Sequence, residues 1–176
     1  MNLQIRKALL SDAAGVGYLY DAVCDDLEGS VNYPGWKKGI YPTIMDAEKA
    51  ISEGTLYIAE TENKIAGTVI LSHTPEQAYE QMHWKKDLSY DDVYVIYTLA
   101  VHPDYAGSGV ASALLQFAQQ LAKKQGMKSL RLDVTEKNIP AIRLYEKQGF
   151  EYIDTVDLGL GDIGLKWFRL YEKLVK

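Results

Sequence analysis

Residues 93–124 constrain the fold of this 176-residue chain more than any other segment. The run VYVIYTLAV is apolar almost throughout, which predicts a buried β-strand. A turn at Pro103, with Gly107 and Gly109 after it, leads into VASALLQFAQQLAKK, whose apolar residues recur at helical spacing. A buried strand that runs through a glycine-containing turn into an amphipathic helix indicates a packed domain built from both a sheet and helices.

The flanking segments extend this pattern over the whole chain. LQIRKA reads as a strand, Ser11 and Asp12 are placed to cap a helix that starts at Ala13, and Glu62-Asn63 is a tight turn between two strands. The predicted order is strand, two helices, three strands, helix, strand, helix and two strands. This order predicts an α/β or α+β fold with a mixed sheet. Because the sequence has neither an internal repeat nor a linker, we expect a single domain over residues 1–176.

Composition excludes several classes of function. The 19 basic and 24 acidic residues give a net charge of −5, so the bulk charge does not supply the basic face that binds nucleic acid. The sequence contains neither an apolar run of the ~18 residues that span a bilayer nor a secretory signal at its start. One cysteine, Cys24, excludes an intramolecular disulfide and a cysteine-built metal site, and the three histidines lack metal-ligand spacing. We therefore expect an intracellular, cytoplasmic protein without nucleic-acid, membrane or metal partners.

The segment VHPDYAGSGVASALL favours anion binding. The first N–H groups of a helix have no carbonyl partner, and the helix dipole places partial positive charge there. Glycines at 107 and 109 would let a phosphate or pyrophosphate approach the backbone closely. The alternative interpretation is an ordinary turn that needs glycine for its own geometry.

A second segment, NIPAIRLYEKQGF, follows the predicted strand SLRLDV. Asn138 and Tyr145 lie seven residues apart, about two helical turns, so both side chains project from one face. Asn138 is also a good helix N-cap and Tyr145 a plausible core residue, and each of these structural roles alone would explain the residue.

Together the two segments resemble the GNAT superfamily of acetyl-CoA-dependent N-acetyltransferases. The close resemblance covers residues 93–152. The residues that match the family pattern are Leu99, Val101 and Pro103; Gly107, Gly109 and Ala111; and Asn138, Ala141, Leu144, Tyr145, Gly149 and Phe150.

The resemblance implies a mostly antiparallel central sheet flanked by helices, with a splayed fourth strand. It implies direct transfer of an acetyl group from acetyl-CoA to a primary amine of a small molecule or peptide. The implied cofactor-binding residues are Leu99, Ala100, Val101, Ala106, Gly107, Ser108, Gly109, Val110, Ala111, Ser112, Asn138 and Tyr145. Tyr145 would offer its phenol to the departing sulfur. A homodimer is compatible with the family.

Two departures from the family pattern affect these expectations. Ala106 stands where the loop usually carries arginine or glutamine, and Ser108 where a basic residue is often found, which predicts weaker cofactor binding. Tyr97 and Thr98 occupy positions where many members carry a catalytic carboxylate. The base that deprotonates the amine could then be Asp133, Asp92 or a water chain, and Asp133 could equally be a loop-capping acid.

The acceptor site is expected among aromatic residues, because a phenol or indole has a polar edge on an apolar body. The candidates are Tyr33, Trp36, Tyr41, Tyr94 and Tyr97.

Two rival functions are compatible with the same residues. One is a CoA-binding sensor or scaffold without transfer activity. The other is an NAD-binding oxidoreductase, because Gly107 and Gly109 open a helix and Asp133 lies near the spacing of a ribose-binding acid. Ser112 at the third glycine position weighs against this second reading.

Overall fold

A computed structural model of the protein describes residues 2–176. The strands are β1 (Gln4–Lys7), β2 (Leu56–Thr61), β3 (Lys64–Ser72), β4 (Val93–Val101), β5 (Ser129–Thr135), β6 (Glu151–Leu160) and β7 (Leu165–Leu174). The helices are α1 (Ala13–Glu28), α2 (Ile44–Ser52), α3 (Val110–Lys124) and α4 (Ile139–Lys147). The order of elements and the fold class are confirmed: a mixed, mostly antiparallel seven-stranded sheet with four flanking helices.

By compactness the described chain divides into two units. The first comprises residues 2–32, 36–71 and 97–117, and the second residues 33–35, 72–96 and 118–176. Both β4 and α3 contribute residues to each unit. The single domain over residues 1–176 stays a prediction.

In the first unit the strand order is β1-β2-β3-β4. The β2–β3 hairpin turns at Glu62 and Asn63, whose φ angles of +50° and +61° belong to a tight two-residue turn. Helices α1 and α2 bury a core against this sheet, in which Leu19 and Ile58 are almost completely buried. Burial of side chains of this size stabilises the fold by about 1.5–3 kcal/mol each.

Gly67 on β3 sets the distance between the sheet and the start of α3. A Cβ atom at this position would lie 2.7 Å from Val110 Cγ1 and 2.9 Å from the carbonyl oxygen of Ala100. Any larger residue would therefore push the first turn of α3 away from β3 and β4. The glycine thus fixes where the N-terminus of α3 lies beside the end of β4.

In the second unit the strand order is β4-β5-β7-β6. Within residues 2–176, strands β4 and β5 pair in parallel over Val93–Val95 of β4, in agreement with the expected splay of this strand. Strand β5 pairs with β7 in an antiparallel register that places Arg131 opposite Glu172. Residues 73–92, which lead into β4, contain two short 3-10 turns, Gln77–Gln81 and Tyr90–Asp92.

The predicted helix cap at Asp12 is wrong in its detail. Asp12 does precede α1, but its carboxylate does not cap that helix. Instead it accepts hydrogen bonds from the Leu9 N–H (2.7 Å) and from Arg6 Nη1 (2.7 Å). The nearby arginine and a short 3-10 turn before α1 redirect the side chain. Within residues 2–176, no helix is long and apolar enough to cross a membrane.

Candidate active site

The C-terminal half of β4 directs its backbone groups to two different edges. Thr98 has φ +45°, an unusual conformation for a β-branched residue that costs about 1–3 kcal/mol. Beyond it, the His102 N–H donates to the Ala66 carbonyl of β3 (2.9 Å). Because backbone groups alternate between the two edges of a strand, those of Leu99 and Val101 point away from β3. An extended ligand could therefore pair with these two residues.

The loop after β4 presents an exposed helix N-terminus. Gly107 and Gly109 are exposed, have φ angles of +72° and +90°, and have no atom within 4 Å of a Cβ built on them. The Ala113 N–H bonds the Gly109 carbonyl (3.0 Å), so the earlier N–H groups of α3 face outward. The open glycines and outward donors fit a pyrophosphate.

Two predicted contacts in this loop are occupied by the loop itself. The Ala106 N–H donates to the Pro103 carbonyl at 3.0 Å. The Ser108 N–H (3.2 Å) and hydroxyl (2.5 Å) both donate to the Tyr105 carbonyl. In this conformation the outward donors are therefore those of Gly107, Gly109 and the first residues of α3, among them Ala111 and Ser112.

Three of the predicted acceptor-site residues lie in the first unit. The rings of Trp36 and Tyr41 meet edge to face with centroids 6.2 Å apart. The hydroxyls of Tyr41 and Thr98 hydrogen-bond to each other, which joins this aromatic pair to β4 at the residue with positive φ. Tyr97, next to Thr98, is half-buried.

Asp133 on β5 is the best-placed acid of the second unit. Its half-buried carboxylate accepts a hydrogen bond from the Tyr79 hydroxyl at 2.6 Å. Burial raises the pKa of Asp133 to about 6, a rise that the Tyr79 bond limits and the charge of Glu76 increases. A carboxylate with a pKa near 6 is mostly ionised at neutral pH and still a useful proton acceptor.

Helix α4 carries the two predicted residues of the second motif. The Asn138 side chain accepts from the Ala141 N–H at 3.2 Å, so the predicted N-cap is confirmed. Tyr145 is 8% exposed, and burial, with the charge of Asp133 as a second cause, raises the pKa of its phenol well above the usual value. Tyr145 therefore stays protonated at neutral pH and can donate a hydrogen bond.

The other predicted residues of the second unit have structural partners. The Tyr33 carbonyl accepts from the Thr135 hydroxyl at 2.8 Å. Tyr94 is buried, hydrogen-bonds to Gln125 and packs on His73, and these contacts give it a structural role. The Asp92 carboxylate accepts from Lys128 Nζ at 2.5 Å, so it already has an ion-pair partner outside the site.

The sequence analysis missed Tyr79, because no motif in the sequence singles out this residue. It also missed the buried pair Arg131–Glu172. One signal was present: an arginine between two leucines in the predicted strand SLRLDV implies a buried charge partner. Among residues 2–176, no cluster of three or more His, Cys, Asp or Glu side chains could hold a metal ion.

Residues 20–150 match the acetyltransferase (GNAT) family model, which is well over half of the chain. An uncharacterised N-acetyltransferase of Methanocaldococcus jannaschii is 26% identical over 139 residues, 79% of this chain and 52% of that protein. The chain thus spans about half the length of this relative.

Solved structures share the fold. A GNAT-family acetyltransferase from Streptococcus agalactiae aligns with a TM-score of 0.80 at 20% identity, covering 99% of this chain and 96% of that one. A Salmonella typhimurium protein solved with its cofactor acetyl-CoA aligns with a TM-score of 0.74 at 15% identity, covering 100% and 95%. At these identities the likeness establishes the fold alone.

Proposed function

This chain belongs to the GNAT acetyltransferase family, and we propose that it transfers the acetyl group of acetyl-CoA to a primary amine of a small molecule or peptide. The observation that carries the proposal is the exposed N-terminus of α3 behind Gly107 and Gly109. It offers outward N–H groups and the positive end of a helix dipole to an anion.

The residues proposed to hold acetyl-CoA follow from these donors. The pyrophosphate would bind the N–H groups of Gly107, Gly109 and the first turn of α3. The pantetheine arm would pair with the backbone of Leu99 and Val101, whose groups point away from β3. Asn138 would support the cofactor indirectly, since its side chain holds the start of α4.

In the proposed reaction acetyl-CoA supplies an acyl carbon activated as a thioester. An N–C bond forms and the C–S bond breaks. The amine proton passes to Asp133, and the sulfur leaves as a thiolate that is protonated from solvent. An alkyl ammonium has a pKa of about 10.4 and must lose one further proton before it attacks. Asp133 can also relay this proton to solvent.

Tyr145 would stabilise the departing sulfur by hydrogen bonding. The ordinary pKa of tyrosine, about 10, already exceeds the value of about 8.5 for a thiol. Burial raises the pKa of Tyr145 further, so transfer of its proton to the thiolate is strongly uphill. We therefore propose that Tyr145 keeps its proton and donates a hydrogen bond.

The acceptor amine is proposed to bind near Trp36, Tyr41 and Tyr97. The edge-to-face rings of Trp36 and Tyr41 supply apolar surface, and the linked hydroxyls of Tyr41 and Thr98 supply polar contacts. Tyr33 remains a candidate through its position in the same aromatic loop. A cytoplasmic location and a homodimer stay predictions.

Thermal unfolding with ligands tests the proposed cofactor first. Acetyl-CoA or CoA at ~100 times its Kd should add about 2.7 kcal/mol to the free energy of unfolding. For a chain of this size, this corresponds to a rise in Tm of roughly 5–11 °C. NAD at the same concentration should leave Tm unchanged. A rise with NAD alone would contradict the acetyltransferase proposal and favour the oxidoreductase.

Turnover separates the enzyme from a CoA-binding sensor. We expect acetyl-CoA-dependent release of free thiol in the presence of amines, with a matching gain of one acetyl group in the mass of the amine. Panels of polyamines, amino acids, aminoglycosides and peptides cover the acceptor class. Binding of CoA without turnover on any of these amines would favour the sensor.

The substitution Ala106→Arg is expected to lower the Kd for CoA about five-fold, since a charge-assisted hydrogen bond contributes at least about 1 kcal/mol. Ala106 is exposed and only its backbone is engaged, so the new side chain should not disturb the loop. Isothermal titration measures the Kd. Met45→Arg on exposed α2 adds the same charge elsewhere and should leave the Kd unchanged. Equal effects of both variants would mean that the loop arginine is unimportant here.

A further inference from the structure

Tyr79 is a completely buried tyrosine whose hydroxyl reaches the Asp133 carboxylate at 2.6 Å. We infer that Tyr79 is a positioning residue for acetyl transfer: it fixes the Asp133 carboxylate as proton acceptor and is itself held by the buried Arg131–Glu172 ion pair. This inference rests on the proposed function. It adds a residue from the connection before β4, which no family motif in the sequence includes.

The backbone around Tyr79 is fixed by its own turn and by Trp84. The Tyr79 N–H donates to the Glu76 carbonyl at 2.9 Å within a 3-10 turn. The Trp84 Nε1–H donates to the Tyr79 carbonyl at 2.9 Å, and the two ring centroids lie 5.2 Å apart. These contacts leave the phenol little freedom, so its hydroxyl keeps its direction toward Asp133.

Arg131 anchors Trp84 and the connection to the sheet. Its guanidinium lies 4.3 Å from the centroid of the Trp84 ring, and Nη2 donates to the Lys86 carbonyl at 2.9 Å. Arg131 Nε donates to Glu172 Oε1 at 3.0 Å, and Glu172 Oε2 accepts from the Lys85 N–H at 2.7 Å. The side chains of Arg131 and Glu172 are 1% and 0% exposed, so the ion pair is excluded from water.

The charged and titratable groups around Asp133 come from three elements. Glu76 and Tyr79 face it from the connection, and Tyr145 from α4. Arg131 lies two residues earlier on β5 and therefore on the same face of the sheet, where it pairs with Glu172. Among these groups Tyr79 is the one that donates a hydrogen bond to the Asp133 carboxylate. Loss of that donor should make the carboxylate easier to protonate.

The test is the pH dependence of kcat in the full-length enzyme at saturating acetyl-CoA and amine. In the wild type kcat should fall as pH drops through about 6. In Tyr79→Phe the midpoint of this fall should rise by about one pH unit, since a hydrogen bond to a charged group is lost. Tyr152→Phe removes an exposed hydroxyl that bonds Thr155 and should leave the midpoint unchanged. A structural effect of Tyr79→Phe would lower kcat without moving the midpoint, and that result would overturn the inference.

A second readout needs no turnover. Titration of ¹³C-labelled aspartate carboxyls by NMR should show the Asp133 midpoint shifted upward in Tyr79→Phe, and an unshifted midpoint would overturn the inference. Should the wild type transfer no acetyl group, the proposed function fails while this titration still decides the Tyr79–Asp133 coupling.

If Tyr79→Phe does not fold, 3-fluorotyrosine at position 79 keeps ring and hydroxyl. Its more acidic phenol is a stronger donor and should lower the midpoint; no movement or a rise would overturn the inference.

Discussion

Replacement of Asp133 by asparagine is expected to lower kcat by about 10²- to 10⁴-fold, the usual contribution of a positioned general base. The amide has nearly the shape of the carboxylate, and its oxygen can still accept a hydrogen bond from the Tyr79 hydroxyl. What it loses is the ability to take the amine proton. Steady-state rates at saturating acetyl-CoA measure the effect, and they should be compared at pH 7.5, above the Asp133 pKa of about 6.

Asp92 provides the comparison that decides the identity of the base. Its carboxylate pairs with Lys128, and it lies just before β4, whereas Asp133 lies on β5. Asp92→Asn should therefore change kcat less than about two-fold, within the small range of an exposed ion pair. A large loss of activity in Asp92→Asn together with full activity in Asp133→Asn would show that the base is wrongly assigned.

Stability provides a check that Asp133→Asn is folded. Burial raises the pKa of Asp133 from 3.8 to about 6, so between these values the native state binds more protons than the unfolded state. Stability due to this group therefore falls as pH rises from about 4 to about 6. At pH 7 the ionised carboxylate lowers the free energy of unfolding by on the order of 2–3 kcal/mol, and replacement by asparagine should remove this loss. The variant should thus have a higher Tm than wild type at pH 7, and this gain should shrink toward pH 4.

Replacement of Arg131 by methionine is expected to cost about 3–5 kcal/mol of folding free energy, because it leaves the Glu172 carboxylate buried without its cation. The expected fall in Tm is roughly 6–20 °C. The double variant Arg131→Met with Glu172→Leu should recover most of this loss, since a buried ion pair and a packed apolar pair differ little in stability. Thermal and denaturant unfolding of the three proteins measure these differences.

Lys38→Met is the matched control for Arg131→Met. Lys38 pairs with Asp25 at 2.6 Å, but both side chains are about half exposed. Loss of an exposed pair changes stability by at most about 1 kcal/mol. If Arg131→Met were no more destabilising than Lys38→Met, the Arg131–Glu172 pair would not hold the connection that carries Tyr79.

The amino-acid sequence alone determined the elements and the two motifs. Apolar spacing located β4 and α3, Glu62-Asn63 marked the hairpin, and Asn138 marked the start of α4. These features depend on neighbours within a few residues, such as a turn that needs positive φ or a helix that needs an N-cap. The family resemblance rests on the same local residues, which is why it could be recognised before the fold was known.

The tertiary structure decided which polar groups meet. Tyr79 and Asp133 are 54 residues apart, and Arg131 and Glu172 are 41 apart, so no local pattern pairs them. The second contact follows from the register of β5 on β7, and the first from the path of residues 73–92 across that sheet. Asp12 differs from its predicted role for the same reason, because its partner Arg6 comes from another element. Charge, hydrogen bonding and the pKa of Asp133 depend on distances in space, whereas the sequence specifies distances along the chain.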